Sequence, residues 1–137
     1  MIRAFVDANI LFSAAWSEAS GINRLWDQPD IQLVTSIYAL AEAQQNILLK
    51  RPNSLVHLNR LMLNVQISAL TTILRRDYGL PENDIPIINT AIAADCSVLL
   101  TGDMRHFGHL INDASIGISV MTVSMFFASL INEQQEE

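Results

Sequence analysis

Four acidic residues stand where their side chains could act together on a phosphate. Asp7 follows the apolar run Ile2 to Val6, Glu42 lies in Tyr38-Ala39-Leu40-Ala41-Glu42-Ala43, Asp84 precedes the apolar stretch from Ile85, and Asp103 follows Val98-Leu99-Leu100 through Thr101-Gly102. Carboxylates held close together repel and take up protons unless a cation offsets their charge. Magnesium is the natural occupant of such a group, because it takes oxygen ligands, keeps several waters and shares them with substrate phosphates; manganese suits the same donors. Taken singly, each acid has a plainer reading as a helix cap or as part of a solvated helix face. Their setting beside buried segments, rather than their number, singles them out.

The elements that must position them follow from hydropathy. Ile2 to Val6 reads as a buried strand delivering Asp7 at its C-terminal end. Helical segments are expected around Ile10 to Ser17 and Gly21 to Trp26, with a second strand at Ile31 to Val34 after the turn signal Asp27-Gln28-Pro29-Asp30. Ser36 is the expected N-cap of a long helix carrying Glu42 to about Lys50, where Arg51-Pro52-Asn53 stops it. Leu55 to Leu63 has helical spacing, and Asn64 to Tyr78 reads as a short strand at Val65 to Ile67 and then a helix ending at Gly79-Leu80-Pro81. Asp84 is the expected N-cap of a helix from Ile85 to Ala94, with Pro86 tolerated in its first turn. Ser97 to Leu100 is a buried strand, Met104 to Leu110 a short helical turn, Ile116 to Val120 another strand and Thr122 to Asn132 a last helix.

This alternation predicts an α/β fold with a mostly parallel sheet, helices on both faces and right-handed crossovers. Ligands of such sheets bind outside the carboxyl ends of the strands, which is where Asp7 and Asp103 fall.

Composition sets the outer bounds. The 137 residues, 50% hydrophobic and 16% charged with mean hydropathy +0.28, suffice for one core and are too apolar for disorder. A single domain is expected over residues 1–132, with 133–137 a polar acidic tail. No apolar stretch approaches the ~20 residues that span a bilayer, and the start, Met-Ile-Arg-Ala-Phe-Val-Asp, has no secretion-signal zoning, so the expectation is a cytoplasmic protein without a membrane partner. Cys96 is the only cysteine, which excludes an internal disulfide and a zinc finger, and its apolar setting predicts a buried thiol. The formal charge of −6 weighs against a nucleic-acid partner, but bound cations would neutralise several of the acids and leave a basic rim of Lys50, Arg51, Arg60, Arg75 and Arg76.

Val6-Asp7-Ala8-Asn9-Ile10-Leu11, Glu42 in its helix, Asn83-Asp84-Ile85-Pro86-Ile87-Ile88 and Leu99-Leu100-Thr101-Gly102-Asp103-Met104-Arg105-His106-Phe107 together resemble a PIN domain in order and spacing, over essentially the whole chain. The resemblance implies a three-layer α/β/α sandwich with a short, mostly parallel sheet and an acidic pocket that binds Mg2+ or Mn2+. It also implies an endoribonuclease, similar to the small VapC-like toxins of toxin–antitoxin pairs, in which metal-activated water hydrolyses an RNA phosphodiester. Carried over by position, the metal-binding and catalytic acids fall on Asp7, Glu42, Asp84 and Asp103, with polar support from Asn9 and Thr101. Arg105 and His106, directly after Asp103, are expected to contact substrate phosphate. RNA as substrate, an antitoxin protein and a homodimer are the expected partners.

Two rivals remain at this point. Phosphoryl transfer through an aspartyl intermediate would use Asp7 as nucleophile, but such enzymes place a second Asp where Asn9 stands or a late Lys after a strand, and Lys50 is the only lysine. A PIN-like module that binds protein or RNA without catalysis is the other. His106 and His109 lack the third ligand a zinc site needs, His57 reads as a helix-surface residue, and Trp16, Trp26, Tyr38, Phe107, Phe126 and Phe127 read mostly as core or interface.

Overall fold

In the computed structural model, residues 1–69 and 76–136 are described, with side chains to Asn132. Five strands form one parallel sheet: β1 (Ile2–Val6), β2 (Ile31–Ser36), β3 (Val65–Ser68), β4 (Val98–Leu100) and β5 (Ser119–Met121), in the order β3-β2-β1-β4-β5. The six α-helices among the described residues are α1 (Ala8–Trp16), α2 (Ile37–Lys50), α3 (Leu55–Met62), α4 (Ile85–Ala93), α5 (Met104–Phe107) and α6 (Val123–Glu136). This is the three-layer α/β/α arrangement expected of a PIN-like chain.

Strand order determines where the helices lie. From β1 the chain steps outward to β2 and β3, then returns across the sheet to β4 on the other side of β1. Right-handed crossovers place α1, α2 and α3 on one face and α4 on the opposite one. The carboxyl ends of β1 and β4 therefore flank the point where the winding reverses, the position at which open α/β sheets form their binding crevice.

The core is built on the sheet: Phe5, Val6, Val34, Leu99 and Leu100 have no exposed surface. Phe107 and Phe126 close it from α5 and α6, as expected of both. The polar interruption at Arg3 is satisfied at the sheet end, where its Nε and Nη2 donate to the Ala94 carbonyl at 3.0 and 2.8 Å.

Several boundaries differ from expectation for identifiable reasons. Helix α1 begins at Ala8 rather than Ile10, since the Asp7 carboxylate accepts from the Ala8 amide and caps it. Gly21–Asp27 winds as a 3₁₀ helix. The last strand starts at Ser119 rather than Ile116, because Ile116 ends a 3₁₀ turn and Gly117 takes a left-handed φ of 79° before the chain can extend. Thr122 precedes α6 and accepts from the Met125 amide at 3.1 Å, and the helix continues past Asn132 to Glu136. Strand β3 forms as expected; of the helix predicted after it and ending at Gly79, residues 70–75, with Arg75, fall outside the described residues, and Arg76, Asp77 and Tyr78 are not helical. No helix among the described residues is long and apolar enough to cross a membrane.

Candidate active site

Asp7 is the best anchored of the four acids. It is buried directly after β1, and both of its oxygens are engaged. Oδ1 accepts from the Ala8 amide at 2.7 Å; Oδ2 accepts from the Thr101 hydroxyl at 3.0 Å and from Asn9 Nδ2 at 3.2 Å. Thr101 in turn accepts from the Asp103 amide at 3.1 Å, and Asn9 Oδ1 accepts from the Gly102 amide at 2.8 Å. A β-carbon on Gly102 would lie 3.3 Å from Asn9 Oδ1, so the missing side chain permits this close approach. Asn9 and Thr101 thus hold the ends of β1 and β4 together around the Asp7 carboxylate.

Asp84 arrives from the far side of the sheet. It was expected to cap α4, yet its side chain makes no cap bond: it ends a 3₁₀ turn over Glu82–Asp84, and its Oδ2 lies 3.1 Å from His106 Nδ1. Asp103 does cap its helix, accepting from the His106 amide at 3.1 Å, and its other oxygen lies 2.8 Å from His106 Nδ1. The ligand atoms of Asp84, Asp103 and His106 lie within 4.8 Å of one another. His106, expected to face substrate phosphate, therefore sits between two carboxylates, while Arg105 stands exposed beside it without an ion pair among the described residues.

Glu42 comes from α2 and lines the same concavity, of about 150 Å³, as Asp7, Asp84 and Asp103. It is exposed and has no hydrogen-bond partner among the described residues, and it and Asp7 lie outside the close Asp84–Asp103–His106 group. Ala8, Asn9, Phe12, Asn46 and Lys50 complete the lining. Sequence reasoning missed Phe12 and Asn46 there, although Glu42, Asn46 and Lys50 recur at every fourth residue and so share one face of α2. A larger hollow of about 360 Å³ beside β5 contains none of the four acids.

Electrostatics mark the pocket as under charge stress. Burial pushes the Asp7 carboxyl up to about 6 against its hydrogen bonds from Ala8 and Thr101, and the charges of Glu42 and Asp84 add to the rise. Asp84 is raised as well, by burial first, with Asp103 adding to the rise and His106 opposing it. The donor set is almost entirely oxygen and carried on four separate segments, with Asp7 and Asp84 destabilised as anions, which is the chemistry a small hard cation relieves.

The other histidines have local partners. His109 Nε2 lies 2.6 Å from the Tyr78 carbonyl, away from the pocket. His57 departs from its expected place on a helix surface: its ring is largely covered, with Nε2 2.9 Å from Asn23 Oδ1 and Nδ1 3.6 Å from Glu18.

Fold and pocket together define a three-layer α/β/α chain with four acids at the switch point of its sheet. Solved structures with the same fold include a chain of VapBC2 from Rickettsia felis, crystallised with a DNA fragment from their promoter, at 16% identity and TM-score 0.63, covering 88% of this chain and 98% of that one. A chain of VapBC-1 from nontypeable Haemophilus influenzae matches at 17% identity and TM-score 0.57, with the same two coverages of 88% and 98%. VapC20 of Mycobacterium tuberculosis, described as a Sarcin–Ricin loop cleaving toxin, matches at 16% identity and TM-score 0.56 over 74% of this chain and 92% of its own. No family sequence model and no curated protein sequence matches the chain.

Proposed function

We propose that this chain is a metal-dependent endoribonuclease, acting in the cytoplasm as the toxin of a toxin–antitoxin pair. The observation that carries the reading is the convergence of Asp7, Glu42, Asp84 and Asp103, from four separate segments, on one concavity at the sheet's switch point. The fold it shares with chains of two VapBC complexes and with VapC20, a toxin described as cleaving the Sarcin–Ricin loop, supports RNA as the substrate and a small antitoxin as the partner.

Asp7, Glu42, Asp84 and Asp103 would hold Mg2+ or Mn2+, which neutralises their charge, acidifies a water for in-line attack on phosphorus and stabilises the leaving oxygen. Asp7 serves as the fixed ligand, since Ala8, Asn9 and Thr101 leave its carboxylate no freedom to turn. Asp103 is oriented by its cap bond to His106 and by the Thr101 hydroxyl on its own amide. Glu42, without a hydrogen-bond partner among the described residues, would take the proton of the attacking water. Arg105, exposed and without an ion pair among the described residues, would supply a positive charge for a substrate phosphate. An antitoxin would silence the enzyme by covering the pocket with a basic side chain that pairs with its acids.

The test is cleavage of labelled single-stranded and structured RNAs with Mn2+, Mg2+ or EDTA, comparing wild type with Asp7→Asn and Asp103→Asn. Metal-dependent cleavage lost in both variants is the expected result. Equal inactivity of all three proteins, with no metal binding by calorimetry, would sink the catalytic reading and leave a non-catalytic binding module.

A further inference from the structure

The cations of this acidic chain are distributed in a telling way. Arg60 pairs with Glu18 at 3.1 Å, Arg76 lies near Asp113 at 3.9 Å, and Arg3 is spent on the Ala94 carbonyl. Lys50 and Arg51, side by side at the end of α2, have no ion pair among the described residues despite a surplus of acids. Both are held instead on aromatic faces. The Lys50 ammonium lies 5.5 Å from the Phe12 ring centroid and the Arg51 guanidinium 4.9 Å from that of Trp16. The two rings touch, with centroids 5.4 Å apart, one turn from each other on α1.

A cation held on an aromatic face is fixed in position while its charge stays available to an anion. The strip also has a direction. Helix α1 is capped by Asp7, and Phe12 and Lys50 line the acidic concavity itself. Trp16 and Arg51 line the next hollow, an open one of about 460 Å³. Trp16 was expected in the core or an interface, yet it is 39% exposed. An exposed indole beneath a planar guanidinium is a stacking platform, which a nucleobase can use only when unpaired.

We propose that Lys50 and Arg51, mounted on Phe12 and Trp16, form the seat of an unpaired RNA strand running out of the acidic pocket. Lys50 holds the backbone phosphate next to the cut and Arg51 the following one, while the base between stacks on the Trp16–Arg51 plane. The inference rests on the endoribonuclease reading and deepens it by assigning the strand's path to Phe12, Trp16, Lys50 and Arg51.

The test uses oligouridylate and a base-paired hairpin, both fluorescein-labelled, with Mn2+ for cleavage. Lys50→Gln and Arg51→Gln are each expected to raise KM severalfold with kcat little changed, and each to reduce the salt slope of binding by about 0.7, the value for one lost single-strand phosphate contact. Trp16→Ala should weaken oligouridylate by roughly tenfold, and Arg51→Lys should reproduce the stacking loss while keeping the salt slope. Arg24, which packs on Phe127 away from the strip, supplies Arg24→Gln as the neutral control. In Trp26→Phe protein the single remaining indole, Trp16, should be quenched by oligouridylate and not by the hairpin, a readout independent of how well the other variants fold.

Wild-type cleavage with unchanged salt slopes and no quenching would overturn the strand seat and leave the nuclease reading standing. Variants that lose a purified antitoxin but not RNA would assign the strip to protein docking and overturn the inference equally. Absence of any RNA binding or cleavage by the wild type would remove both readings together.

Discussion

The Thr101 hydroxyl donates to Asp7 Oδ2 at 3.0 Å, joining residues 94 positions apart at the ends of two adjacent strands. Thr101 has no exposed surface, and its oxygen also receives the Asp103 amide and Asn9 Nδ2. Thr101→Val preserves shape and removes all three bonds. The expected cost is about 1–3 kcal/mol in urea unfolding, with loss of most cleavage, because Asp7 and Asp103 lose their common reference. Thr101→Ser, which keeps the hydroxyl, should retain both.

Stability of the metal-free protein should fall as pH rises. Below the ordinary carboxyl value of 3.8 Asp7 is protonated in folded and unfolded chains alike and has no effect. Between there and about 6 the unfolded chain ionises first, so folding loses free energy, on the order of 3 kcal/mol once the rise is complete. Chemical unfolding at about pH 4.5 and about pH 8 checks the sign, and Asp7→Asn should shrink the difference. A protein more stable at the higher pH would contradict this account of the pocket.

Divalent cations should reverse that deficit. Excess Mn2+ at about a hundred times its Kd should add roughly 2.7 kcal/mol to wild type and raise its melting temperature by a few degrees. Asp103→Asn and Asp84→Asn should lose that response, and Glu42→Gln should lose cleavage with a smaller change in metal-induced stabilisation. Differential scanning fluorimetry with and without EDTA reads all four proteins in one experiment.

Cys96 should be inert in the folded chain. It is 6% exposed, and burial pushes its thiol up to about 11, with the nearby Arg3 opposing. Iodoacetamide at about pH 8 should leave it unmodified until urea unfolds the protein, after which alkylation should be complete. Rapid native labelling would mean that the packing between β4 and the end of α4 opens readily.

Much of this pocket was legible in sequence because strand ends and helix starts carry local signals. Asp7 and Asp103 follow their strands as the apolar runs predict, and Ser36 caps α2, accepting the Ala39 amide at 2.9 Å. What sequence leaves open is long-range pairing: nothing local says that β4 lies beside β1, yet that neighbourhood is what brings Thr101 to Asp7. Asp84 misleads for a related reason. It stands at the usual place of a capping residue, but its carboxylate is drawn to His106, a partner that only the assembled sheet supplies. Trp16 and Tyr38, read from hydropathy as core or interface, are 39% and 46% exposed in the single chain and so lie outside its core.

The central place of β1, between β2 and β4, has a consequence for biosynthesis. Strand β1 waits for a neighbour that begins at Val98, so the four carboxylates cannot meet until the segment through Asp103 has been made. Such non-local pairing is slow to form. A stretch of chain that stops short of Asp103 carries only three of the four carboxylates that line the concavity.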